Sequence, residues 1–207
     1  MEQPDRIPIF PLSLVLFPGM SLPLHIFEPR YKLMTQRCLA GHLRFGIILA
    51  TEKGVATVGT TAEIIQKVRD YPDGRMDVLT LGQSIFSLQE LFDSEEYYEA
   101  RVDYPQDSPQ TEDSIQREAL IEQFNQCHIL LFGQPWSASP EGELFPLSYR
   151  MSAILPLDLV EKQQLLETRS ERDRRAFLQE RLTRLIPQLA ERQRIRRAAG
   201  GNGHPLN

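Results

Sequence analysis

The chain has 207 residues, 41% of them hydrophobic and 25% charged, with a net charge of −5. That length buries enough surface to fold without a disulfide or a metal, and Cys38 and Cys127 match no metal or redox spacing, so they read as reduced, buried thiols of a cytoplasmic protein. No stretch approaches ~18 uninterrupted apolar residues, which excludes a membrane-spanning helix, and the acidic opening Met1-Glu2-Gln3-Pro4-Asp5 is unlike a secretory signal.

Residues 7–104 read as short strands. Ile7 to Leu16 is apolar and punctuated by proline, and Phe17-Pro18-Gly19 is a turn anchored by an aromatic core residue. Leu22, Leu24 and Ile26 alternate with Pro23, His25 and Phe27, which is strand periodicity. Pro8, Pro11 and Pro23 have no N–H to give to a ladder, so their strands are expected at edges or bulges. Pro29 fits the first position of a helix ending at Gly41, with Tyr31, Met34 and Cys38 as its buried stripe. Further strands are expected near 43–50, 55–59, 62–68, 76–81, 84–91 and 95–104, with a turn at Tyr71-Pro72-Asp73-Gly74. Many short strands with one helix imply a small barrel or closed sandwich.

Residues 105–113 are polar and contain proline, and read as a linker. Helical spacing follows, with Leu120, Phe124, Cys127 and Leu131 on one helix that stops at Gly133. Ser148 is the expected N-cap of a short helix to Leu155, and Asp158 with Glu161 forms a capping-box pattern for the next. Ser170 opens the longest helix, whose stripe is Leu178, Leu182, Leu185 and Leu189, and Pro187 is expected to kink or end it. Nine arginines against four acids make residues 171–199 +5 and leave −10 on the rest. The division expected is a β module over 1–104, a linker over 105–113, a helical module over 114–199 and a disordered tail over 200–207.

Several motifs, taken in order, resemble one family. They are Ile7-Pro8-Ile9-Phe10-Pro11-Leu12, Val15-Leu16-Phe17-Pro18-Gly19, Leu22-Pro23-Leu24-His25-Ile26-Phe27-Glu28-Pro29-Arg30-Tyr31, Arg44-Phe45-Gly46, Pro72-Asp73-Gly74-Arg75 and Tyr98-Glu99-Ala100. In the helical half, Leu147-Ser148 and Lys162 to Glu167 fit as well. The pattern resembles the Lon protease N-terminal, substrate-binding domain, especially its stand-alone bacterial members, over roughly residues 7–190. The resemblance implies an α+β fold, a PUA-like β-barrel followed by a C-terminal α-helical bundle. It implies a protein-binding role without the ATPase and peptidase domains of Lon, and a partner among unfolded or extended polypeptides or the proteolysis machinery. One departure is Ile85, where members often carry an arginine before the phenylalanine.

The residues themselves point away from catalysis. There is no Gly-Lys dipeptide, hence no G-x-x-x-x-G-K-[ST] phosphate loop, and no G-x-S-x-G or G-x-G-x-x-G occurs. His25 and Glu28 have i, i+3 spacing but no further metal ligands. No catalytic residue, metal or cofactor is therefore expected. The candidate peptide-binding residues are Phe27, Glu28, Arg30 and Tyr31, where a proline-bearing edge strand meets a helix start, and Trp136 in a proline-bounded loop. Against this stand structural readings: Phe27 and Tyr31 as a staple between helix and barrel, and Trp136 as a lid on the core. Nucleic acid is the alternative partner, supported by the Arg-rich final helix and opposed by the acidic remainder.

Overall fold

The computed structural model describes residues 4–93, 96–108, 114–137 and 145–200. In chain order the elements are β1 (Arg6–Leu12), β2 (Ser21–Ile26), α1 (Pro29–Gly41), β3 (Phe45–Thr51), β4 (Gly54–Asp70), β5 (Met76–Asp93), β6 (Tyr98–Asp103), α2 (Ser114–Phe132), α3 (Leu147–Ser152), α4 (Leu159–Glu167) and α5 (Glu171–Gly200).

The strands form one mixed sheet in the order β2-β5-β4-β3-β1-β6, and a further β5–β6 pairing closes it into a ring. Closure depends on length. Four of the short strands expected from sequence fuse into two long ones, β4 and β5. The first part of β5, Met76 to Leu81, pairs with β2, while Ser87 to Asp93 pairs with β6. The strands bend through register shifts, three of which lie in the β4–β5 ladder between Thr60 and Arg69. Gly59 and Gly82, which look like breaks in the sequence, lie inside the strands because nothing larger fits. A Cβ would come within 2.5 Å of the Phe86 ring at Gly59 and 2.2 Å of the Phe17 carbonyl oxygen at Gly82.

The prolines of β1 obey the edge rule in an unexpected way. Although β1 lies between β3 and β6 in the order, Arg6 to Pro8 pair only with β6 and Ile9 to Leu12 only with β3. Each proline thus has a ladder on one side only. The barrel interior holds Phe10, Ile26, Tyr31, Met34, Cys38, Phe45 and Val78 in one cluster and Ile7, Ile9, Ile48, Phe86 and Val102 in another. Phe17 is fully buried, its ring 5.7 Å from that of Tyr149, and Met20 N–H closes its turn by donating to Phe17 O at 3.0 Å.

The chain divides into two compact units, and the division is not sequential. Residues 141–169 belong with 1–108, so α3 and α4 group with the strands, where the sequence reading had placed them in a helical module of 114–199. Within this first unit Gln163 Nε2 donates to Val58 O at 3.0 Å, and Ser108 N–H donates to Arg169 O at 2.8 Å. These are tertiary bonds with no local sequence signal. Asp158 and Glu161 form the expected capping box on α4. Ser148 does not cap α3: the N-cap is Pro146, and Ser148 is buried with its carbonyl accepting from Ser152 Oγ at 2.7 Å.

The second unit comprises residues 109–140 and 170–207. Its helices α2 and α5 bury Leu120, Phe124, Cys127, Leu178 and Leu182. Ser170 Oγ accepts from Asp173 N–H at 3.2 Å at the start of α5. The helix runs through Pro187 rather than ending there. Thr183 and Pro187 are exposed, so the carbonyl left without a helical donor is open to water. The expected linker residues 109–113 and tail residues 201–207 lie outside the described residues.

Candidate functional site

The corner where β2 runs into α1 is set by the pairing of β2. Its six residues lie opposite Met76 to Leu81 without a register shift. Gly82 N–H donates to Met20 O at 2.9 Å, one step beyond Ser21, which fixes the parity of the ladder. Leu22, Leu24 and Ile26 therefore direct their backbone groups at β5, and Ser21, Pro23 and His25 direct theirs away from it. No strand lies on that outer side among the described residues. Pro23 sits where its missing N–H costs no ladder bond, as the sequence reading required.

Four candidate residues follow at once, and the fold separates them. Phe27 is 57% exposed, and Glu28 and Arg30 are exposed with it. Tyr31 is only 8% exposed and stacks on Phe10 with ring centroids 4.0 Å apart, so it belongs to the core stripe and not to the surface. Burial, with the Glu28 charge second, pushes its hydroxyl above the ordinary tyrosine range. Glu28 occupies the N-cap position without capping: its carbonyl accepts from Tyr31 and Lys32 N–H, and its side chain caps nothing. Arg30, a cation at a helix start, has its guanidinium 5.8 Å from the Tyr98 ring centre, within reach of the negative face of the ring. Trp136, in the second unit, meets Phe124 edge-on at 5.1 Å and is half-buried. Ile85 is buried, which suits an apolar side chain at that position.

Sequence reasoning overlooked the neighbours of Phe27. His25 Nδ1 lies 2.6 Å from Asp77 Oδ1, and Tyr71 Oη donates to Asp77 Oδ2 at 2.8 Å. Phe27 stacks on the His25 ring at 5.9 Å, and Tyr71 meets it edge-on at 5.8 Å. Arg69 and Arg75 lie over the Tyr71 ring at 4.7 and 5.0 Å. The His25 bond, and after it the Tyr71 bond, hold the Asp77 carboxyl below its ordinary range. His25, Asp77 and Arg69 form one row across β2, β5 and β4, a juxtaposition made by register and not by sequence spacing. Among the described residues no group of histidine, cysteine or acid side chains is arranged to hold a metal ion.

The corner thus combines a short, regular strand edge with exposed apolar and charged side chains. The sequence model of the ATP-dependent protease La (LON) substrate-binding domain matches residues 6–184. The chain belongs to the LON substrate-binding domain family. The Lon protease of Parabacteroides distasonis is 27% identical over 78% of this chain, and that of Escherichia coli strain K12 is 30% identical over 94% of it. The chain spans only 22% and 27% of the length of these two relatives. Solved structures share the LON-domain fold. The Lon N-terminal domain protein from Xanthomonas campestris superimposes with a TM-score of 0.61 at 23% identity, covering 82% of this chain and 94% of that one. The N-terminal domain of Mycobacterium avium complex Lon protease gives 0.62 at 16% identity, covering 86% and 98%.

Proposed function

We propose that this LON substrate-binding domain is a non-catalytic, cytoplasmic protein-binding module that captures extended or partly unfolded polypeptide at the β2–α1 corner. The observation that carries this reading is the outer edge of β2, on which no strand lies among the described residues. Ser21 and His25 present both backbone groups to the outside and Pro23 presents its carbonyl, and only another extended chain matches such a row. Phe27 adds apolar area at the end of that edge, and Glu28 and Arg30 add charge. Pro23 also limits the edge to a few bonds, which favours reversible capture over permanent strand pairing. The absence of a phosphate loop from the sequence supports a role without ATP hydrolysis. Both thiols are free, in keeping with a reducing compartment.

The test is capture of a reduced, alkylated and therefore permanently unfolded protein by the full chain, with and without the doublet Glu28→Ala and Arg30→Ala. Capture is expected to weaken several-fold while the melting temperature stays nearly unchanged. Intact capture, or loss of folding in the doublet, would make this corner structural. Steps in salt separate the nucleic-acid reading, because release of counterions makes such binding fall steeply with ionic strength whereas apolar capture holds.

A further inference from the structure

Where β4 leaves β3, a cleft opens that is separate from the β2 edge. The β3–β4 pairing stops at Phe45 opposite Ala62, and from Glu63 onward the outer side of β4 meets no strand among the described residues. The end of α1 lies across this gap, and the two elements enclose a cavity of about 220 Å³. Cys38, Leu39 and Ile64 line its less exposed part, and Leu43 and Ile65, 52% and 47% exposed, form an apolar rim. A cavity of about 150 Å³ is enough to hold benzene, so this one has room for a single aromatic ring. Register shifts at Ile64/Gln66 and Lys67/Arg69 break the regular spacing that an added strand needs. The cleft therefore suits a side chain and not a strand.

We infer that this cleft binds one aromatic side chain of a partner polypeptide, with His42 as the residue that prefers an aromatic to an aliphatic group. His42 ends α1 in the left-handed region, at φ 50° and ψ 40°. It is the one non-glycine residue with positive φ among the described residues, at a position that glycine takes without strain. Its imidazole lines the cleft, is exposed, and has no hydrogen bond or ion pair among the described residues. A left-handed residue whose side chain the fold does not use indicates a use outside the fold. An aromatic ring suits the imidazole in either charge state, because neutral rings stack and a charged one is drawn to an aromatic face. The other charges at the cleft cancel. Glu63 is paired with Arg44 at 2.9 Å and Lys67 with Asp70 at 2.5 Å, so neither selects a carboxylate or an ammonium group. The outer backbone of β4 at the rim offers N–H and C=O groups to the peptide bonds that flank the bound side chain, which a free aromatic compound lacks.

The experiment titrates the full, isotope-labelled chain with an eight-residue glycine–serine peptide carrying one central phenylalanine, leucine or alanine, and follows backbone amide shifts by NMR. Shifts are expected at residues 42–43 and 63–67 and not along β2. The phenylalanine peptide is expected to bind about tenfold more tightly than the alanine peptide and about fivefold more tightly than the leucine peptide. His42→Gly, whose melting temperature should equal or exceed the parent's, is expected to lose the preference for phenylalanine over leucine and to keep its affinity for leucine. Ile65→Ser removes a half-exposed wall and is expected to weaken both peptides alike. Equal binding of the phenylalanine peptide and either of the others overturns the inference, as do shifts elsewhere than at the cleft, unchanged affinities in Ile65→Ser, or a preference that survives His42→Gly. Each of these outcomes leaves the reading of β2 standing.

Discussion

Phe27 and Tyr31 are four residues apart at one corner, and they face opposite worlds. Phe27 follows the last β2 residue and stands out in solvent, whereas Tyr31, on the first turn of α1, stacks on Phe10 inside the barrel. Both are aromatic, both lie in the same motif, and sequence reasoning placed both at a binding surface. A motif at a strand–helix junction mixes two kinds of residue. One kind anchors the junction to the core, and the other is what the anchored junction displays. Phe27, His25, Glu28 and Arg30 are displayed, and Ile26, Tyr31, Met34 and Cys38 anchor.

Removing an anchor should have the largest effect. Tyr31→Ala is expected to cost about 3 kcal/mol in urea denaturation, the usual range for deleting a buried aromatic ring. A loss below about 1 kcal/mol would mean that Tyr31 is not the anchor it looks like. A smaller effect should appear on raising the pH. Burial pushes the Cys38 thiol up to about 11. A folded value above the unfolded one makes the folded state hold its proton longer. The stability this contributes is complete below the unfolded thiol range, near about 8.5, and is lost as pH climbs from there toward about 11. Denaturant midpoints measured from pH 8 to 11 should fall, and fall less in Cys38→Ala once its own baseline is subtracted. The smallest effect on stability is expected for the displayed residue: Phe27→Ala should shift it by no more than about 0.5 kcal/mol, while capture of unfolded protein weakens several-fold. If Phe27→Ala destabilises the domain as Tyr31→Ala does, the distinction between the two residues collapses.

Much of the fold was legible. The alternation in β2, the proline at the first position of α1, the Phe17-Pro18-Gly19 turn and the Asp158–Glu161 capping box are local devices, and each appears where the residues put it. What escaped was long-range. The two long strands looked like four short ones because Gly59 and Gly82 resemble breaks until Phe86 and Phe17 are packed against them. Ser148 looked like a cap because serine caps helices, yet this serine is buried inside α3. At the candidate site, Phe27, Glu28 and Arg30 were legible as a junction, while Asp77, Tyr71 and Arg69 were not, since 52 residues separate His25 from Asp77.

Local chemistry in the sequence was enough for the elements: periodicity sets strand or helix, and proline and glycine set turns and edges. Only the tertiary structure decided which strand closes the barrel, which aromatic faces inward, and that α3 and α4 group with the strands. The reason is physical. Backbone preference acts over a few residues, whereas the side of a strand left unpaired, and the partner a charged side chain finds across it, depend on register between segments far apart in the chain.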